Sequence, residues 1–134
     1  MTLTAATSPA SDLSPWITIG SREYASAKIG HTACVFVYFT AHNWDIRVSI
    51  DRAIEHTFRG TGGRDAAEAA FAGFWASHKA TLGTMVADRA RLLSAEDAQK
   101  RTRSVNGRNG AVIAVDAIAA GIRTNAAAIR AWKP

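Results

Sequence analysis

Thr32-Ala-Cys-Val-Phe-Val-Tyr-Phe-Thr-Ala-His-Asn-Trp-Asp-Ile-Arg-Val-Ser-Ile50 is the one stretch of this chain in which β-branched and aromatic residues run together. It reads as two adjacent strands. Over Thr32 to Thr40 both faces are apolar, with Ala33, Val35, Val37 and Phe39 on one side and Cys34, Phe36 and Tyr38 on the other, as suits a central strand. The second strand sets Trp44, Ile46, Val48 and Ile50 against Asp45, Arg47 and Ser49, the pattern of a strand with one face in water. His42-Asn43 marks the turn between them. Such a hairpin needs an apolar cover, and the helical patterns downstream supply one. The expected class is α+β: a small antiparallel sheet packed by one long helix, with a C-terminal strand and helix.

Outward from the hairpin, Pro15-Trp-Ile-Thr-Ile19 and Tyr24 to Ile29 read as shorter strands ended by Gly20 and Gly30. After it, Ala53, Ile54 and Phe58 fall at helical spacing, so Asp51 to Phe58 reads as a short helix capped by Ser49 or Asp51 and stopped by Gly60-Thr-Gly-Gly63. The longest helical pattern begins at Asp65, which with Glu68 resembles a capping box. Phe71, Phe74, Trp75, His78, Leu82, Met85, Val86 and Leu93 form its apolar stripe. Asn106-Gly-Arg-Asn-Gly110 is then expected to turn. Ala111-Val-Ile-Ala-Val115 reads as a strand, and Asp116 caps a helix from Ala117 to about Trp132. The alternative is one continuous helix from Val112, because Val115, Ile118, Ile122, Ala126 and Ile129 also keep helical spacing.

At 134 residues, 48% apolar and 20% charged, the chain has the composition of one globular domain. Residues 1–14 read as a disordered leader, and 15–134 as a single domain whose last part, 99–134, is basic. The leader has neither a basic start nor a long apolar run, and no stretch approaches the roughly 18 to 20 apolar residues that cross a bilayer, so a cytoplasmic location is expected. Cys34 is the only cysteine, which excludes an intrachain disulfide and suits a reducing compartment.

The formal charge of +5 is unevenly distributed. Residues 1–50 balance three basic side chains against three acidic ones, residues 51–98 six against seven, and residues 99–134 seven against one. The surplus sits on Lys100, Arg101, Arg103, Arg108, Arg123, Arg130 and Lys133, opposed there only by Asp116. Such asymmetry points to nucleic acid, another polyanion or an acidic protein surface. A solvated face that keeps the protein soluble is the plainer account of a charge run.

Other motifs are weaker. Gly60 to Arg64 precedes a helix start, where free amides hold phosphates, but it lacks the lysine of a nucleotide-binding loop and reads as a plain connection between helices. His31 and Cys34 have the spacing of half a metal site, and the other half is missing. Phe36, Tyr38 and Trp44 are aromatics on a sheet near basic residues, an arrangement that stacks bases in some proteins and packs a core in more of them. Ala117 to Lys133 resembles a helix-turn-helix unit with Gly121 at the turn, although Ile129 and Trp132 lie further from Gly121 than that pattern sets.

Ile46-Arg-Val-Ser-Ile-Asp-Arg-Ala-Ile54 with Phe58, the alanine-rich helix with Phe71, Phe74 and His78, and Gly110-Ala-Val-Ile-Ala-Val115 resemble a family of small uncharacterised bacterial proteins, domain of unknown function 1488. The resemblance spans about residues 30–118. It implies an α+β fold and brings no catalytic residues.

The residues thus favour a non-enzymatic binding protein that engages nucleic acid or another polyanion through Lys100, Arg101, Arg103, Arg108, Arg123 and Arg130. The alternative is a protein-interaction module, a homo-oligomer or an inhibitor of a bacterial protein. An enzyme would need a cleft gathering His31, His42, Asp45 and His56. No catalytic residue, metal ligand or cofactor is assigned.

Overall fold

The computed structural model describes residues 12–102 and 105–134, the side chains of 105–109 and 111 excepted. Five strands follow one another in sequence and in space: β1 (Ile17–Ile19), β2 (Arg22–Ile29), β3 (Ala33–Phe39), β4 (Asn43–Ile50) and β5 (Ile54–Thr61). Each is antiparallel to its neighbour. Two helices follow, α1 (Arg64–Arg101) and α2 (Val105–Arg130). The α+β class, with a small antiparallel sheet against one long helix, is the one the residue pattern predicts.

Register decides the two faces. Val35 pairs with Val48, Val37 with Ile46 and Phe39 with Trp44, so the alternation of one strand continues into the next. All six are buried, with Ala25 and Ala27 of β2 beside them. Trp44 therefore belongs to the core. Cys34, Phe36 and Tyr38 point the other way and remain partly exposed, so the apolar second face of β3 does not mean a second cover.

The helix expected over Asp51 to Phe58 is a strand. Ile54 and Phe58 are buried on the helix-facing side of β5, while Glu55 and Arg59 are exposed. The turn into it is easily missed because it contains no glycine or asparagine: Arg52 takes the left-handed conformation itself, at φ 62°. Pairing with all of β4 then outweighs the local helical spacing. The segment from Gly60 to Arg64 consequently joins a strand to a helix, not a helix to a helix. The capping box is likewise absent. Gly63 precedes α1 without a side-chain cap, Glu68 pairs with Arg64 at 3.4 Å, and Asp65 lies in the first turn, where its charge complements the helix dipole.

At 1.5 Å per residue the 38 residues of α1 extend about 57 Å, whereas an eight-residue strand covers about 26 Å. The sheet therefore spans only part of the helix. Ala67, Phe71, Phe74, Trp75, Leu82 and Met85 are buried, and beyond them Leu93 is 38% exposed. The overhanging part needs another partner, and α2 provides it. Gly121 lies near Asp88 and Trp132 near Gly73, so the two helices run antiparallel. Ile122, Ala126 and Ile129 are buried in this seam. Trp132 closes it edge-on against Phe58 at 5.0 Å and Phe74 at 5.2 Å.

This seam corrects three expectations. Ala111 to Val115 is helical rather than a strand, and Asp116 lies within the helix instead of capping it. The backbone over Asn106–Gly110 is helical, so the expected turn does not form there. Gly121 is mid-helix, which removes the helix-turn-helix arrangement. In each case a helix-long apolar seam on α1 outweighs local β-propensity and turn residues. Val112–Arg130, 19 residues, is also long and apolar enough to cross a membrane, with mean hydropathy 1.5 over an 18-residue window, contrary to the expectation that no stretch approaches that length. Its isoleucines and valines raise the mean despite Asp116 and Arg123.

Of the expected leader, residues 1–11 lie outside the described residues. Asp12 accepts hydrogen bonds from Trp75 Nε1 at 2.6 Å and Lys79 Nζ at 3.0 Å. The Ser26 amide donates to Ser14 Oγ at 2.9 Å. Asp12 to Ser14 are thereby fastened to α1 and β2.

Candidate nucleic-acid interface

The basic residues singled out from the sequence are arrayed along the helical pair, not gathered in one patch. Lys100 and Arg101 occupy the last turn of α1. Arg123 and Arg130 lie on one exposed stripe of α2, about 10 Å apart along its axis. Arg130 borders the turn between β4 and β5, where it lines a hollow with Ser49 to Glu55. Arg103 and the side chain of Arg108 lie outside the described residues.

Carboxylate partners divide the cations into two groups. Arg47 pairs with Glu55, Arg59 with Asp45 at 3.7 Å, Arg89 with Asp51 at 2.6 Å, Arg91 with Asp88 at 3.0 Å and Arg101 with Asp97 at 2.8 Å. Arg52, Arg64 and Lys79 are similarly matched, to Glu96, Glu68 and Asp12. Among the described residues, Arg22, Lys28, Lys100, Arg123, Arg130 and Lys133 have no carboxylate oxygen within 4.0 Å. Four of these six are in the basic C-terminal region, and Arg22 and Lys28 belong to β2.

Those last two stand on the sheet face turned away from the helices, a place charge counting along the chain did not find. Across this face Tyr24 lies opposite Tyr38, Ser26 opposite Phe36 and Lys28 opposite Cys34. Arg47 lies opposite Phe36 and Asp45 opposite Tyr38 on the other flank. Tyr24 and Tyr38 have ring centroids 6.0 Å apart, and Phe36 and Tyr38 6.3 Å, at interplanar angles of 31° and 28°. The Arg22 guanidinium sits 5.4 Å from the Tyr38 ring centre. At the edge, Ile17 and Ile19 are 48% and 62% exposed.

Hollows flank the aromatic row at both ends. One, of about 270 Å³, is lined by Arg22, Tyr38, Asn43, Asp45 and Arg59. The other, of about 310 Å³, is lined by Lys28, His31, Cys34, Phe36 and Ser49. Burial pushes the Cys34 thiol up, against a smaller opposing effect of Lys28. Hydrogen bonds from Ser49 and then Arg47 hold the Glu55 carboxyl below its usual range.

The residues an enzyme would have to gather remain apart. His31 is in the turn before β3 and His42 in the turn after it, separated by the length of that strand, about 23 Å. Asp45 is on the outer face, while His56 pairs with buried Val48 and meets the Phe58 ring edge-on at 4.7 Å. His31 and Cys34 line the same hollow, but among the described residues no three His, Cys, Asp or Glu side chains form a group able to hold a metal ion.

No protein-family model, curated protein or solved structure matches the chain.

Proposed function

We propose that this protein is a non-enzymatic binder of nucleic acid, acting in the cytoplasm, with the basic helical pair as a principal contact surface. The observation that carries the reading is the set of cations without carboxylate partners. Where a guanidinium has a neighbouring carboxylate, phosphate must compete for it; Arg123, Arg130 and Lys100 are exposed and have no such competitor among the described residues. A helix stripe bearing arginines two turns apart suits the backbone of a polyanion, which is contacted through charge and positioned without sequence information.

Binding of labelled single- and double-stranded DNA and RNA across a salt series tests this. Affinity should fall steeply with salt, and Arg123→Glu with Arg130→Glu should reduce the slope of log affinity against log salt by about two. Absence of binding at low salt, or retention that ignores salt, would sink the proposal.

A second reading, self-association or capture of another protein through the helical pair, is favoured by the exposure of Ile113 at 69% and of Val112 and Leu93 at 38% each. A mass in solution that stays monomeric at every concentration, with or without Ile113→Lys, would remove the self-association form.

A further inference from the structure

We propose that the outer face of the sheet is a base-stacking platform for single-stranded nucleic acid, with Tyr24, Phe36 and Tyr38 as the stacking rings. This rests on the nucleic-acid reading above and names its substrate class. A sheet face turned to water ordinarily carries polar side chains. Here, three adjacent strand positions carry aromatic rings, close to parallel and only partly covered. Nothing in the core requires them there, because Phe39, Trp44 and the valines already fill the opposite face.

Charge identifies the occupant. Arg22 and Lys28 flank the rings on one side without carboxylate partners among the described residues, whereas on the other flank Arg47 is paired with Glu55 and Arg59 with Asp45, so the free cations lie along β2. A strand of nucleic acid brings phosphates to the cations and flat bases to the rings. Duplexes hide their base faces in the stack, so a single strand is the form that fits. From Cys34 to Tyr38 the row runs about 13 Å, and the hollows at its ends extend the track. The hollow beside Tyr38 also offers Asn43 and Asp45 as hydrogen-bonding groups for a base edge.

The test measures binding of the full chain to a labelled thymidine oligomer and to its duplex, for the parent and for Tyr24→Leu, Phe36→Leu and Tyr38→Leu, which keep the apolar cover. Preference for the single strand is expected, with a loss of roughly 5- to 150-fold per ring and an unchanged salt slope. If the leucine variants bind as the parent does while Arg123→Glu with Arg130→Glu abolishes binding, the platform is wrong and the nucleic-acid reading survives. If the parent binds no nucleic acid, both fall. Cys34, the only cysteine and a member of the same row, gives a readout that needs no ring substitution. Saturating oligomer should slow its alkylation. An unchanged rate, or slowing by protein concentration alone with no oligomer present, overturns the platform.

Discussion

Gly60 lies opposite Trp44 in the ladder between β4 and β5, and a β-carbon on Gly60 would fall inside the indole. The buried tryptophan thus uses the one position on β5 that has no side chain, which is why a glycine stands within a strand. Gly60→Ala should cost about 1–3 kcal/mol by forcing the ring from its place. Gly83, inside α1, provides the contrast, because a methyl group there would meet nothing within 4 Å. Gly83→Ala should stabilise by about 0.5–1 kcal/mol. Urea unfolding of both variants decides the matter; equal midpoints would mean that the indole does not occupy the space above Gly60.

Phe74 joins three elements: it is fully buried, 5.5 Å from Phe58 of β5 and 5.2 Å from Trp132 beyond α2. Phe74→Ala is expected to cost about 3–5 kcal/mol, the usual range for a buried ring. Trp132→Ala should cost less, because it is only half-buried, but should raise hydrogen exchange in the last turns of α2 specifically. Uniform exchange along α2 after that change would show that the helix is held elsewhere.

His78 packs against Phe74 at 5.5 Å, and burial pushes its imidazole below the ordinary value of 6.5. The unfolded chain therefore takes up the proton more readily than the folded one. Stability should be unaffected above about pH 6.5 and should decline as pH falls below it and through the lower folded value. His78→Leu should flatten this part of the profile. A parent profile as flat as that of the variant would contradict the shift.

Burial of Cys34 raises its thiol above the ordinary 9.0, so alkylation in the folded protein should be slower than in urea and should keep rising beyond that pH. Equal folded and unfolded rates would mean that the outer face does not shield it.

The amino-acid sequence alone determined the sheet–helix character of this protein. The alternation from Trp44 to Ile50 and the three-four stripe from Phe71 to Met85 are periodicities that burial on one face imposes directly, and both appear in the structure with their inward residues buried. It also located the basic residues of the candidate interface, since charge is counted without coordinates. Tertiary structure alone decided whether a segment with mixed signals becomes strand or helix. Ile54 to Thr61 is a strand because β4 offers it a full ladder, and Val112 to Val115 is helical because α1 overhangs the sheet and needs a partner along its length. Only the structure separated Trp44 from Phe36 and Tyr38. All three lie in the same hairpin, but the pleat sends neighbouring residues to opposite faces, and the helices cover one of them. The pairing of each cation, and with it the exposed track beside Arg22 and Lys28, depends on contacts between residues far apart in the chain, such as Asp12 with Lys79 and Asp51 with Arg89.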